Sequence, residues 1–219
     1  MIPVHAPKSK KDVPIVTCTL TALFILIYLW DRQWKILGQP MVFSDLALRP
    51  QEVMHVFTGG DKFPIVTLFT SMFLHGNLLH IAGNLLFLLV FGPSIEAAFG
   101  SVRYTLYFLV WGVAAAIAQI AVAPNSLTPV IGASGAISGI LGAYLILLPT
   151  SRIDLWIFFF DVELPAWVFL GAWFLFQIFV PQNGIANWEH AGGFLAGMLT
   201  VLLKGGKSHV MAGREQEFA

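Results

Sequence analysis

The amino-acid sequence predicts an all-α fold, a polytopic membrane protein built as a bundle of six transmembrane helices. Of its 219 residues, 57% are hydrophobic and only 11% are charged, too few charges to cover the surface of a soluble domain. The mean hydropathy is +0.78. A spanning helix needs about 20 mostly apolar residues. Six runs approach that length, at 14–30, 74–92, 102–123, 132–149, 164–181 and 188–204.

Composition and charge exclude several classes of function. Lysine and arginine balance aspartate and glutamate at 12 each, so the chain offers no basic surface for nucleic acid. The single cysteine, Cys18, cannot form an intrachain disulfide, and no spacing typical of zinc or iron–sulfur sites occurs in the sequence. We therefore expect a lipid bilayer as the surroundings, with no metal and no other cofactor.

The first apolar run is predicted to stay in the membrane as a helix. A signal peptide has a short apolar region followed by small residues at a cleavage site. Here the run is longer, and it ends in the bulky sequence "YLWDRQW". The predicted organisation is a cytoplasmic N-terminal tail at 1–13, a six-helix membrane domain at 14–204 and a cytoplasmic C-terminal tail at 205–219.

Two segments between the helices are harder to interpret. The connection 31–66 is far longer than the about 4–6 residues usual in compact domains, so we expect it to hold structure of its own. Its aromatic residues suggest contact with the lipid interface. The segment "IDLWIFFF", ahead of the fifth helix, either spans the membrane or lies along its surface, because "DVE" interrupts the apolar run.

The distribution of lysine and arginine predicts the orientation of the chain in a cell membrane. With both termini inside, the cytoplasmic segments hold eight basic residues: Lys8, Lys10, Lys11, Arg103, Arg152, Lys204, Lys207 and Arg214. The other side holds four, all in the connection 31–66, which becomes a long extracytoplasmic first loop: Arg32, Lys35, Arg49 and Lys62. Cytoplasmic segments are usually the richer in these residues, so an even number of spans is favoured.

Unusual polar residues of the second, fourth and sixth helices are predicted to lie at similar depth. These three helices begin on the same side of the membrane, which is the extracytoplasmic side in the orientation above. The polar residues fall early in each helix: His75, Asn77, His80 and Asn84 in the second, Ser134 in the fourth and His190 in the sixth. Polar groups within a bilayer are costly, so they usually face a cavity or a partner.

Ser134 has two interpretations. Gly135 and Gly139 form a GxxxG pair, which lets helices approach closely, so the serine could be packing material. Alternatively, Ser134 is a nucleophile at a junction between a loop and a helix, where free N–H groups and the helix dipole stabilise an oxyanion. Gly132 and Gly135 would then let a substrate carbonyl approach. The two interpretations are compatible.

His190 is the candidate general base for Ser134. It precedes a second GxxxG pair, Gly193 and Gly197, so its helix is also suited to close packing. A buried histidine is more often a structural hydrogen-bonding residue, but this one lies at the predicted depth of Ser134. Glu189 points about 100° away from it on a helix, so we expect a Ser–His dyad rather than a triad.

His80 and Asn84 are four residues apart and share one helix face. They either bond to each other and to a neighbouring helix, or they donate hydrogen bonds in an oxyanion hole. His75 would then be an accessory residue at the mouth of the site, unless it lies among lipid headgroups. A metal site of His75, His80 and His190 is an alternative that conflicts with His190 as a base. In "FGPSIEAAFGSVR", Glu96 is interpreted as structural, in an ion pair with Arg103 or as a helix cap.

In these motifs the sequence resembles the rhomboid family of intramembrane serine proteases. "GASG" is similar to the family's GxSG motif, and "HGNLLHIAGN" to its motif on the second helix. "EHAGGFLAG" resembles the histidine and GxxxG of the sixth helix, and "GPSIEAAFG" the GxxxExxxG turn. The resemblance runs from about residue 50 to 203 and implies a six-helix rhomboid-like bundle.

The resemblance also implies the roles of the site residues. Ser134 is the implied nucleophile and His190 the implied base, with His80, Asn84 and the Ser134 backbone N–H as the oxyanion hole. Many family members carry an aromatic residue four positions after the serine, where this sequence has Ser138. The implied activity is cleavage of the transmembrane segments of other membrane proteins near their extracytoplasmic ends. Substrates are expected to reach the site beside the fifth helix.

Two other functions are consistent with buried polar residues. A transporter or channel would use the histidines to bind or relay protons, but the sequence shows no inverted repeat and no pair of broken helices. An inactive relative would bind membrane proteins without cutting them. The presence of Ser134, His190, His80 and Asn84 argues against that second alternative.

Overall fold

Helices carry most of the fold, and six of them match the six apolar runs of the sequence. The computed structural model describes residues 2–6, 13–37, 41–157, 160–180 and 186–212. In chain order the helices are α1 (Ile15–Asp31), α2 (Pro50–Val56), α3 (Thr67–Thr70), α4 (Leu78–Phe99), α5 (Ser101–Val122), α6 (Ser134–Leu147), α7 (Ala166–Phe179), α8 (Asn187–Leu203) and α9 (Gly206–Val210). The prediction of six principal helices is confirmed by α1 and α4–α8. The largest difference is that α4 continues through Pro93 to Phe99.

Within the described residues, α4 and α5 are long and apolar enough to cross a membrane. Helices α1, α6 and α7 are apolar but shorter. Helix length alone therefore does not establish six spans, and that number stays a prediction.

The first loop has its own helical structure, as its length predicted. It contains α2 and short 3-10 turns at Ser44–Leu46 and Phe63–Ile65. Between this loop and α4 lie α3 and a third 3-10 turn, Ser71–Phe73. Residues 38–40 of the loop lie outside the described part of the chain. Leu48 and Val130 exchange two backbone hydrogen bonds of 3.1 and 2.7 Å, which joins this loop to the segment that leads into α6.

The mostly helical fold agrees with the all-α prediction, but it also includes a three-stranded antiparallel sheet that was not predicted. Its strands lie side by side in the order β1 (Ile2–His5), β2 (Arg152–Ile157) and β3 (Phe160–Pro165). The β2–β3 hairpin takes the place of the segment that was predicted to span the membrane or lie along its surface. Ile153 and Leu155 are fully buried, whereas Arg152 and Trp156 are exposed. This alternation is typical of a strand with one covered face.

The segments predicted as tails also contain regular structure. Strand β1 lies within 1–13 and pairs with β2, and α9 lies within 205–219. Met211, just after α9, is 1% exposed and joins the main hydrophobic core. Residues 1, 7–12 and 213–219, with four of the predicted cytoplasmic lysines and arginines, lie outside the described chain.

Glu96 caps the N-terminus of α1 from the end of α4. Its carboxylate accepts hydrogen bonds of 2.8 Å from the backbone N–H groups of Val16 and Thr17 and from the hydroxyls of Thr17 and Ser101. The first N–H groups of a helix have no partner within the helix, and a carboxylate there also favours the helix dipole. Arg103 is exposed. Glu96 is therefore a helix cap, which was one of the two structural roles predicted.

The centre of the bundle is a close contact between α6 and α8. A Cβ atom added at Gly193 would overlap the carbonyl oxygen of Gly135, and one at Gly197 would overlap that of Gly139. A Cβ atom at Gly142 would overlap the carbonyl of Phe194. Because residues 135 and 139 meet residues 193 and 197 in that order, the two helices run in the same direction. Their N-terminal turns therefore lie at the same level.

A methyl group added where α6 and α8 touch should destabilise the fold. In Gly197→Ala the added methyl group meets a backbone carbonyl that cannot rotate away, and such overpacking costs about 1–3 kcal/mol. The matched control is Gly171→Ala in α7, where an added Cβ has nothing within 4 Å. We expect Gly197→Ala to lower the midpoint of thermal unfolding in detergent. The control should leave the midpoint unchanged or raise it, since alanine is the better helix former. Equal midpoints for the two variants would contradict the contact.

Candidate active site

The backbone before Ser134 is held in one conformation. Gly132 has φ of +116°, a value that side chains rarely allow, and its N–H donates a 2.9 Å hydrogen bond to the Ser71 carbonyl. A Cβ atom at Gly132 would also lie 2.6 Å from Nε2 of His80 and 3.5 Å from Nδ2 of Asn84. Only glycine fits both constraints, and its absence of a side chain leaves His80 and Asn84 next to the approach to Ser134.

Ser134 is the first residue of α6 and is partly exposed. At this position its backbone N–H is among those that lack a partner within the helix, and the positive end of the helix dipole lies beside it. A negatively charged oxygen formed next to the Ser134 hydroxyl would be stabilised by both. The position therefore suits a nucleophile, as well as allowing the packing at Gly135.

His80 and Asn84 project from the first half of α4. Asn77 caps this helix, because its side chain accepts a 2.8 Å hydrogen bond from the His80 N–H. Nδ1 of His80 accepts from the Gly76 N–H at 3.4 Å, so the hydrogen of the neutral ring lies on Nε2, beside Gly132. Nδ2 of Asn84 is buried and has no hydrogen-bond partner among the described residues. Both side chains thus have donors available near Ser134.

His75 is buried, with 1% of its surface exposed, so it is enclosed by protein on every side. Its ring contacts Phe24 and His80, with centroids 5.4 and 5.3 Å apart. Its carbonyl accepts a 2.9 Å hydrogen bond from the guanidinium of Arg32. The ring of His75 therefore packs against the ring of His80, and Arg32 holds the backbone just before α4.

His190 lies in the first turn of α8, where the contact with α6 brings it to the level of Ser134. Gly135, which follows Ser134, packs on Glu189, which precedes His190: a Cβ atom at Gly135 would lie 3.0 Å from Cγ of Glu189. Within the described part of the chain, the Ser134 hydroxyl and His190 do not form a hydrogen bond. Catalytic hydrogen bonds are often long without substrate.

Three residues at the site were not identified from the sequence. Arg32 is buried at the end of α1, and Gln177 and Trp173 project from α7 towards His190. Their environment depends on which helix faces meet, and no motif in the sequence marks them. Ser138, which stands at the position of the family's usual aromatic residue, is buried and donates a 2.7 Å hydrogen bond to the Ser134 carbonyl.

Metal coordination receives no support from the side-chain arrangement. Across the residues that the structure describes, no three histidine, cysteine, aspartate or glutamate side chains cluster so as to hold an ion. The contact of His75 with His80 is an edge-on contact between rings, inclined at 69°. The donors of His80 and Asn84 instead lie beside Gly132, two residues before Ser134.

The family model and the similar proteins both point to one family. Residues 62–207 match the Rhomboid domain family. RHOMBOID-like protein 1 of Arabidopsis thaliana is 30% identical over 158 residues, which cover 71% of this chain and 39% of that protein. Rhomboid protease GluP of Bacillus subtilis is 30% identical over 138 residues, 63% of this chain and 26% of that one. Rhomboid-like protease 5 of Toxoplasma gondii is 31% identical over 166 residues, 73% and 18% of the two chains.

The aligned region spans less than half the length of each of these three relatives. The Rhomboid domain match, at residues 62–207, contains α4, α6 and α8 and thus the residues around Ser134. The family match covers more than half of the chain. On this basis, the chain belongs to the rhomboid family of membrane proteins, whose relatives named above include proteases.

Proposed function

We propose that this chain is an intramembrane serine endopeptidase that cleaves transmembrane segments of other membrane proteins by a Ser134–His190 dyad. The observation that carries the proposal is the convergence of three helix N-termini. Ser134 begins α6, His190 lies one turn into α8, and the donors of His80 and Asn84 on α4 face the same segment. A nucleophile, a base and an oxyanion hole are the parts that acyl transfer requires.

The chemistry proceeds through an acyl-enzyme. Nε2 of His190 takes the proton of the Ser134 hydroxyl while the oxygen attacks the peptide carbonyl, and the protonated ring then gives that proton to the leaving amine. A water molecule then attacks the ester carbonyl while His190 takes its proton, and the ring returns that proton to the Ser134 oxygen as the acid product leaves. Both residues are partly exposed, which gives water and substrate a way in.

The oxyanion is stabilised by groups from two helices. The N–H of Ser134, Nε2–H of His80 and Nδ2–H of Asn84 all donate to the negatively charged oxygen. The Asn84 donor has no competing partner within the described chain, so it is available without reorganisation. Gly132 allows the carbonyl to come close to all three, because no side chain lies between His80 and the oxygen.

The substrate class follows from the apolar surroundings. A membrane-spanning substrate must unwind locally, because the carbonyls of a helix are already hydrogen-bonded. Under the orientation predicted from charge, with both termini in the cytoplasm of a multi-pass cell-membrane protein, cleavage takes place near the extracytoplasmic end of the substrate. Small, helix-breaking residues at the cleaved bond would lower the cost of unwinding.

Helix α7 is the proposed gate for substrate access. Trp167, Leu175 and Phe179 expose 58%, 53% and 73% of their surface, so this helix has a broad uncovered apolar face. Its other face rests on α4 through ring contacts: Phe169 stacks on Phe87 with centroids 6.5 Å apart. Separation of α7 from α4 at these rings would open a lateral path towards Ser134.

The first prediction tests the dyad. Wild type in liposomes should cleave a single-span test substrate, and Ser134→Ala and His190→Ala should each lower the rate by at least about 10³-fold, as for members of other catalytic dyads and triads. A fluorophosphonate should label the wild type and leave Ser134→Ala unlabelled. Absence of both cleavage and label in the wild type, across several substrates, would overturn the proposed activity.

A second prediction concerns the oxyanion hole. Asn84→Ala should lower kcat by about 10²–10³-fold with little change in KM, because the lost donor acts mainly in the transition state. Asn77→Ala is the matched control on the same helix: it removes a cap worth about 1 kcal/mol but no donor near Ser134. Similar kcat values for the two variants would show that Asn84 is not part of the hole.

The third prediction tests the gate. In a Cys18→Ser background, Phe87→Cys and Phe169→Cys joined by a short bis-maleimide should prevent cleavage of the membrane substrate, because α7 can no longer leave α4. The same double variant without the linker, and each single variant with it, should remain active. Unchanged cleavage by the linked protein would exclude substrate access between α4 and α7.

A further inference from the structure

Gln177 forms a direct hydrogen bond with the candidate base. Its side-chain oxygen Oε1 lies 2.8 Å from Nδ1 of His190, and the residue is buried with 6% of its surface exposed. The bond joins two different helices, α7 and α8. No charged group takes part in it.

The orientation of the Gln177 amide, with its oxygen towards Nδ1, selects which ring nitrogen of His190 holds the hydrogen. An amide oxygen can only accept, so Nδ1 must donate, and in the neutral ring the lone pair then lies on Nε2. A base for Ser134 needs a free lone pair on the nitrogen that faces the serine. In Ser–His–Asp enzymes the carboxylate provides this orientation, and here a neutral amide occupies the corresponding place.

Two further contacts hold this arrangement. Trp173, one turn before Gln177 on the same face of α7, covers the ring of His190 with centroids 6.0 Å apart and planes inclined at 35°. Asn187, the first residue of α8, donates through Nδ2 to the carbonyls of Gln177 and Val180 at 2.8 and 2.9 Å. The end of α7 is thereby fastened to the beginning of α8, three residues before His190.

We propose that Gln177 is a positioning residue for His190, which it holds as the Nδ1–H tautomer with Nε2 free to accept the proton of Ser134. The inference deepens the proposed protease function and rests on it. Gln177 does not touch the substrate and exchanges no proton. Its contribution is to keep the ring in one tautomer and one orientation before the reaction begins.

The kinetic test compares Gln177→Leu with Gln177→Glu on a membrane substrate in liposomes. Leucine removes the acceptor, and we expect kcat to fall at least about tenfold, a part of the roughly 10²–10⁴-fold that a positioned base contributes. KM should stay within about twofold, since the bond is not a substrate contact. Glutamate returns an acceptor oxygen to the same place and should restore most of kcat. Leu106→Ala, more than half exposed on α5 and outside the proposed gate, is the control and should match the wild type.

The tautomer itself supplies a second measurement that does not depend on proteolysis. In ¹⁵N-histidine-labelled protein in detergent, with His190→Gln for assignment, the wild type should show neutral His190 protonated on Nδ1. Gln177→Leu should show a mixture of both tautomers, and Gln177→Glu should recover the Nδ1–H form. A structural role for Gln177 would lower kcat equally in the leucine and glutamate variants and leave the tautomer unchanged.

The outcomes separate the two proposals. A wild type that neither cleaves substrates nor takes the fluorophosphonate label overturns the protease function, whatever the tautomer. An active wild type whose kcat and His190 spectrum are unaffected by Gln177→Leu overturns the role of Gln177 alone. Loss of kcat with leucine and recovery with glutamate, together with the matching change of tautomer, supports both.

Discussion

The backbones of α6 and α8 touch at Gly135 against Gly193 and at Gly139 against Gly197, and the geometry of the candidate site follows from this contact. Because the two helices run in the same direction, their first turns lie side by side. Those first turns carry Ser134 and His190. The glycines therefore do not compete with the catalytic interpretation of the serine, since they are what allows two separate helices to present both residues at one level. Because glycine has no side chain, the backbones of α6 and α8 can make van der Waals contacts along their whole crossing.

A second constraint is that polar groups among apolar helices need partners close at hand. Unpaired polar groups in a low-dielectric interior cost roughly 1–3 kcal/mol each. Glu96 satisfies the first turn of α1, and Arg32 satisfies the carbonyl of His75. Among the described residues near the site, Nδ2 of Asn84, both ring nitrogens of His75 and Oδ1 of Asn187 are buried without a hydrogen-bond partner. Of these atoms, Nδ2 of Asn84 is the donor that lies beside Gly132. Under the proposed function, a buried donor without a protein partner suits a charge that appears only during a reaction.

The two faces of helix α7 have different surroundings. Its outer face is broad, apolar and uncovered, whereas its inner face holds Gln177 and Trp173 against His190. Under the proposed function, α7 separates from α4 to admit a substrate. Asn187 keeps the Gln177 end of α7 attached to α8. The hydrogen bond between Gln177 and His190 is then retained while the substrate enters.

The sequence by itself predicted the six principal helices and the residues of the proposed site, because hydropathy and GxxxG spacing are local properties of a chain. Successive membrane spans run in opposite directions, so every second helix begins on the same side. This alternation was enough to predict that the polar turns of α4, α6 and α8 lie at one end of the bundle. The β2–β3 hairpin was missed because its alternating burial lies inside an apolar run. Gln177, Trp173 and Arg32 carry no motif, and only the tertiary structure shows their contacts with His190 and His75. Their partners lie on other helices, and which faces of two helices meet depends on the packing of the whole bundle rather than on any single segment.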